Sequence, residues 1–183
     1  MKHFFLMLYM LSSMLVIGQS KYLTKIGSLS FEASVPSFEE VAAQNKSVTA
    51  ILNTENGEFA ALALVKAFRF KNALMEEHFN ENYAESDLHP KTTFKGLISD
   101  FELEKISALE TSSLLMEGQL TFHGVTKNID QIPITMKVVN DSVFLSGNFS
   151  VLASDYNIEI PKIVKNKLSN EVLITFNFQL IKK

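Results

Sequence analysis

Residues 118–127 read GQLTFHGVTK, and the interpretation of this stretch decides the fold. Leu120 and Phe122 alternate with polar residues, which is the period of a β-strand with one buried face. Gly124 follows where the chain must reverse, because glycine adopts a positive φ angle without steric cost. The stretch therefore predicts a strand that runs into a tight turn, although its His, Lys and Thr side chains also suggest a reactive site.

The same two-residue period recurs along most of the chain and predicts a mainly all-β, antiparallel domain. Strands are predicted at residues 22–34 (interrupted at Gly27), 47–53, 58–70, 92–101, 112–122, 129–139, 142–153 and 171–181. Asn56-Gly57 and Asn140-Asp141 are typical of tight hairpins, since such residues tolerate positive φ angles. Some eight long strands fit either a sandwich or a closed barrel, and the period alone does not choose between them.

Three segments lack this period and predict short helices or helical turns. They are residues 36–45, with Ser37 as N-cap, residues 73–86 and residues 161–168. Residues 58–70 carry apolar side chains on both faces, which predicts a strand that is covered on both sides.

Composition limits the class of protein. The 183 residues suffice for one domain with a real core. The chain contains 15 Phe, which supply bulky apolar surface. It contains no Cys, and this absence excludes disulfides, thiolate metal sites and a Cys nucleophile. A formal charge of −3 with no basic run argues against a nucleic-acid partner.

The N-terminus predicts a signal peptide at residues 1–18 and a mature domain at residues 19–183. Lys2 and His3 precede an apolar run from Phe4 to Ile17, and small Gly18 ends the segment. The run is short for a membrane span, so no stable membrane insertion is expected. The mature protein is expected in the periplasm or outside the cell.

His123 is the obvious candidate for catalysis. A general base needs a positioned partner and a nearby reacting group, and no nucleophile elbow accompanies it. We therefore predict no catalytic residue and expect His123 to be a turn residue whose ring nitrogens bond local backbone.

A metal site is the second chemical candidate. His78 and Glu81 share a helix face with an i, i+3 spacing, beside Glu76 and Glu77. Zinc needs three or four ligands, and the spacing of the other mature histidines, 89 and 123, suggests no cluster. The sequence thus predicts no metal and no cofactor, and favours an amphipathic helix with its carboxylates in water and with Leu74, Met75 and Phe79 inward.

Three motifs in order resemble the YceI-like, or polyisoprenoid-binding, proteins. GQLTFHGVTK at residues 118–127 is similar to the family signature. ALMEEHFNENY at residues 73–83, followed by HPKTTFKG at 89–96, resembles its short helix and the next strand, and SDYNI at 154–158 resembles a later motif. The resemblance covers about residues 22–183, essentially the whole mature chain.

The resemblance implies a lipocalin-like antiparallel β-barrel of about eight strands with one or two short helices near its mouth. It also implies an elongated apolar lumen that holds a polyisoprenoid or a quinone-like amphiphile. Two positions depart from the family pattern. Ala153 stands where Arg is frequent, and Asn157 stands where Gly is frequent.

The expected function is lipid binding without catalysis. The strand faces that would line the lumen carry Leu120, Phe122, Phe149, Val151, Phe176, Phe178 and Leu180. The alternative is a barrel filled by its own Phe side chains, acting as a stress-related structural or interaction protein. An enzyme that depends on His123 ranks third. The oligomeric state, a dimer included, is left open.

Overall fold

In the computed structural model the described residues are 21–36, 38–106 and 111–183. The predicted signal peptide and the predicted N-cap Ser37 lie outside them. Within these ranges there is one α-helix, α1 (Ala73–His78). The strands are β1 (Lys21–Ser34), β2 (Ala42–Asn53), β3 (Glu58–Leu64), β4 (Arg69–Phe70), β5 (Lys91–Ile98), β6 (Ser112–Phe122), β7 (Val125–Val139), β8 (Ser142–Leu152) and β9 (Leu168–Lys182).

The strands close into an eight-stranded antiparallel barrel. Neighbours follow the order β1-β9-β8-β7-β6-β5-β3-β2, and β1 also pairs with β2 to complete the circle. The two-residue β4 extends the pairing of β2 at Ala43 and Gln44. The predicted all-β fold is confirmed, and the closed circle decides between a sandwich and a barrel.

The predicted turns of the barrel are confirmed. Phe122 pairs with Val125 across a two-residue turn in which His123 and Gly124 have φ angles of 49° and 74°. Asn140 and Asp141 likewise have φ angles of 46° and 57°. Two successive positive φ angles define the primed turns whose twist matches that of the flanking strands.

Gly27 is required by a close approach of the barrel wall to a ring. The pairing of β1 with β2 shifts register on both sides of Gly27, so the predicted interruption is a β-bulge. A Cβ atom at this position would lie 2.3 Å from Cδ1 of Phe178, an impossible contact.

The helix predicted at residues 36–45 is wrong. Ala42 to Asn45 belong to β2, with Ala43 and Asn45 pointing inward at 4% and 0% exposure. Pairing with β1 overrides the local helix propensity, since Ala43 lies opposite Phe31. The buried amide of Asn45 is satisfied: it donates to the Leu64 carbonyl at 3.0 Å and accepts from the Ser47 N–H at 2.9 Å.

One further prediction is confirmed and one is corrected. The helical turn predicted at residues 161–168 is confirmed up to residue 167, since the Val164 N–H donates to the Pro161 carbonyl at 3.0 Å, and only its last residue, Leu168, already belongs to β9. Residues 58–70 are not one strand, because a 3₁₀ turn at Val65–Ala67 separates β3 from β4. They are not covered on both sides either, since Leu62 and Leu64 are 36% and 49% exposed.

The barrel interior is filled at one end only. We call the end where Tyr22 pairs with Leu52 and Val143 with Leu180 the packed end. Six of its inward side chains are at most 2% exposed, namely Leu52, Ile98, Met136, Val143, Leu145 and Leu180. The opposite end, which we call the mouth, carries the His123-Gly124 turn, the start of β9 and α1.

Candidate functional site

A cavity of about 530 Å³ occupies the mouth half of the barrel. This volume lies within the range of about 300–1,000 Å³ that is typical of small-molecule sites. Its lining comes from every strand of the barrel except β7, from α1 and from the turns that precede β9, and it is mainly apolar. The six side chains named for the packed end do not line it, whereas buried Met116, which pairs with Ile98, does and marks where the two halves of the interior meet.

Six of the seven side chains predicted to line a lumen do line this cavity. They are Leu120, Phe122, Phe149, Val151, Phe176 and Phe178. Leu180 does not; it lies further along the same face of β9, in the packed end, and has no exposure. The period of a strand identifies the inward face but not the depth at which the interior becomes solid.

Phenylalanine rings form the floor of the cavity. Phe176 and Phe178 stack with ring centroids 5.7 Å apart, and Phe178 lies 5.5 Å from Phe59. Phe94 and Phe149 continue the cluster at centroid distances of 6.4 Å. These spacings fall within the range that favours aromatic pairs, so the floor is a rigid apolar surface.

A second aromatic cluster, missed by the sequence analysis, stands beside the mouth. Phe31 contacts Phe68 and Phe79 at centroid distances of 5.3 and 5.2 Å, and Phe70 contacts Phe79 at 5.3 Å. Phe79 belongs to the π-helical turn that follows α1. No strand period marks these rings, because β1, the segment after β3 and the helix bring them together only in the folded barrel.

Polar contacts hold α1 over this cluster. The Asn72 side chain caps the helix by accepting from the Leu74 N–H at 2.9 Å. The Glu76 carboxylate accepts from Arg69 at 2.8 Å and from the Phe70 N–H at 3.1 Å. The sequence predicts that the Glu76 carboxylate lies in water, and this prediction is wrong because the carboxylate is paired.

The inward face predicted for α1 is only partly correct. Met75 and Phe79 line the cavity, as expected, and His78 lines it as well. Leu74 instead points outward and is 57% exposed, so its predicted inward position is wrong.

The polar lining divides by depth. Polar side chains occur near the mouth, where Glu39, His78 and Lys167 contribute to the wall. Thr92, at the mouth end of β5, donates its hydroxyl to the Thr121 carbonyl at 2.9 Å and presents little free polarity, whereas phenylalanine rings form the floor. An amphiphile would accordingly have its polar end at the mouth and its apolar tail inside.

Tyr156 is the exception in this apolar wall. It is 2% exposed, and among the described residues its hydroxyl has no hydrogen-bond partner. Burial, with a smaller contribution from the charge of Asp155, raises the pKa of the Tyr156 phenol to about 12. The phenol is therefore neutral at physiological pH.

His123 joins segments that are distant in sequence. Its Nδ1 lies 2.9 Å from the Tyr156 carbonyl and its Nε2 lies 2.7 Å from a Glu85 carboxylate oxygen. The expectation of local backbone bonds is thus wrong, since both partners are more than 30 residues away. The expectation that the mature histidines do not cluster is also wrong, because the rings of His89 and His123 lie 4.7 Å apart.

The two departures from the family pattern have structural explanations or consequences. Asn157 adopts the left-handed region with φ 58° and ψ 28°, where glycine is favoured and asparagine is tolerated better than most residues. Ala153 lines the cavity without charge, so the wall at this position stays apolar.

Within the described ranges, none of the helices is both long and apolar enough to cross a membrane.

Comparisons with known proteins agree with this architecture. A family model described as a YceI-like domain matches residues 22–180. The curated proteins include no match to the chain. Among solved structures, a polyisoprenoid binding domain from Saccharophagus degradans, described as implicated in plant cell wall breakdown, has a TM-score of 0.76 and 15% identity, covering 90% of this chain and 99% of that one.

Two other bacterial structures share the fold. Burkholderia cenocepacia BcnA has a TM-score of 0.67 and 15% identity over 84% of this chain and 95% of its own. A Campylobacter jejuni YCEI protein has a TM-score of 0.61 and 15% identity over 81% of this chain and 88% of its own. At this level of identity the likeness concerns the fold.

Proposed function

The chain belongs to the YceI-like domain family, and on that premise we propose that it is an exported, non-enzymatic protein that binds a polyisoprenoid or quinone-like lipid in the mouth half of its barrel. The observation that carries the proposal is the apolar cavity of about 530 Å³. A neighbour with the same fold is described as polyisoprenoid binding, which supports the ligand class. The hollow interior counts against the alternative of a wholly packed barrel.

Burial of the lipid tail supplies the affinity. A tail that buries on the order of 400 Å² of apolar surface gains about 10 kcal/mol at ~25 cal/mol per Å². The loss of translational and rotational freedom opposes binding by several kcal/mol. The balance remains favourable without a charged anchor, which agrees with the uncharged Ala153 in the wall.

The arrangement of His123 supports binding in preference to catalysis. Both of its ring nitrogens are engaged, one by the Tyr156 carbonyl and the other by Glu85. His123 also does not line the cavity, and a general base must reach the proton that it takes. The first 18 residues support export, because a basic start and a short apolar run are typical of a signal peptide.

The mouth offers a route by which a lipid would leave or enter a membrane. In the turns before β9, Val164 and Lys167 line the cavity, whereas Ile163 is 85% exposed. Among the described residues, neither Lys167 nor the nearby Lys162 and Lys165 makes an ion pair. An exposed apolar side chain among free lysines suits contact with an anionic lipid surface.

Extraction of the purified protein with organic solvent, followed by mass spectrometry, tests the proposal. We expect one prenyl-type lipid per protein molecule, and saturable binding of a fluorescent prenyl probe after the lipid is removed. The probe's head group without its tail serves as the control and should not bind. A protein that emerges without lipid and also fails to bind the probe would contradict the proposal.

A further inference from the structure

Three side chains with metal-binding chemistry converge beside the mouth. The Glu85 carboxylate and the imidazoles of His89 and His123 each offer a ligand atom, and these atoms all lie within 4.8 Å of one another. Glu85 and His89 belong to the connection between α1 and β5, and His123 belongs to the β6–β7 turn. This cluster, which we call the Glu-His-His site, lies outside the cavity lining.

The backbone fixes the positions of these ligands. The Glu85 carbonyl accepts from the N–H groups of Leu88 and His89 at 2.8 and 2.9 Å, so a closed turn places Glu85 and His89 together. Gly124 leaves room for the His89 ring, because a Cβ atom there would lie 2.9 Å from its Cε1 atom. The two imidazoles thereby meet without rearrangement of the loops.

The hydrogen bonds of His123 orient its ring as a metal ligand. A carbonyl only accepts, so Nδ1 must donate its hydrogen to Tyr156. Nε2 then faces the Glu85 carboxylate oxygen at 2.7 Å, so two atoms that can bind a metal lie side by side. A backbone carbonyl on Nδ1 is also the usual second-shell partner that directs Nε2 of a histidine towards a metal.

We propose that Glu85, His89 and His123 bind a divalent transition-metal ion such as zinc, with water in the fourth position. Two imidazoles and one carboxylate suit zinc and its neighbours, whereas calcium and magnesium prefer oxygen ligands throughout. The ion links the α1–β5 connection to the β6–β7 turn, and through the Tyr156 carbonyl to the turn after β8.

Titration calorimetry with zinc chloride on the tag-free protein tests this site. We expect one zinc ion per chain in the unaltered protein, and a loss of affinity of at least about tenfold in His89→Ala and in Glu85→Gln. His78→Ala is the matched control, since this histidine lies on α1 and outside the cluster. The control variant should bind zinc as the unaltered protein does.

Thermal unfolding with and without zinc provides an independent readout. Zinc should raise the midpoint temperature of the unaltered protein and of His78→Ala, because an ion that binds only the folded state stabilises it. His89→Ala should show no such rise. The proposal is overturned if the unaltered protein binds no zinc below about 100 µM, or if His89→Ala and His78→Ala bind it equally well.

Discussion

Filling the cavity with two aromatic rings should abolish lipid binding and leave the barrel folded. Ala61 on β3 and Val151 on β8 both line the cavity and are small for their positions in the wall. We propose Ala61→Phe/Val151→Phe as the blocking variant. The matched control, Ala60→Phe/Ser150→Phe, adds the same rings at neighbouring positions that do not line the cavity.

The cavity volume sets the size of the effect. A space of about 150 Å³ holds one benzene molecule, so two added rings take up roughly 300 Å³ of the 530 Å³. A lipid tail then loses roughly half of its buried apolar contact, or about 5 kcal/mol. Since ~1.4 kcal/mol corresponds to a factor of ten, affinity should fall by more than about a thousandfold.

Titration with the prenyl probe measures the affinity, and urea unfolding measures the stability. The blocking variant should be at least as stable as the control, because its rings enter free space and not a packed core. Probe binding that survives in the blocking variant would refute the assignment of the cavity as the lipid site. A loss of more than about 3 kcal/mol in unfolding free energy would refute the claim that the mouth half is hollow.

Three further predictions test other parts of the account. Leu145→Ala, in the packed end, should lower the unfolding free energy in urea by about 2–5 kcal/mol, whereas Leu120→Ala, which faces the cavity, should cost clearly less. Tyr156→Phe should raise stability by about 1–3 kcal/mol, since it removes a buried hydroxyl that lacks a partner. The unfolded phenol ionises near pH 10 and the folded one near 12, so stability should fall across that interval in the unaltered protein and less in the variant. Ile163→Asp should slow lipid transfer between anionic vesicles without changing probe affinity in solution; an unchanged transfer rate would exclude this residue from membrane contact.

Much of the fold follows from two-residue periodicity and turn chemistry. The strand at residues 112–122 coincides with β6, and both hairpin turns at Asn140-Asp141 and Asn56-Gly57 occur as predicted. These features are local, because each depends on neighbouring residues alone. The family resemblance, now confirmed, added the closure of the barrel, which no single strand encodes.

The errors arise where tertiary contacts decide. Residues 42–45 have a helical composition, yet their pairing with β1 makes them a strand. The Glu-His-His site was missed because its ligands come from segments more than 30 residues apart, and sequence spacing gives no sign of their contact. Leu180 shares the face of Phe178 but not its depth, and only the folded barrel reveals where the packed end begins.

Photo-crosslinking with a diazirine-bearing prenyl probe tests the central claim most directly, because it reports which residues touch the bound tail. We predict saturable labelling confined to peptides that line the cavity, namely those containing Leu120, Phe149 and Phe176. The peptide with Met136 should remain unlabelled, since the packed end leaves no space for a tail. Labelling mainly on outward-facing residues, or no saturable labelling at all, would contradict the account.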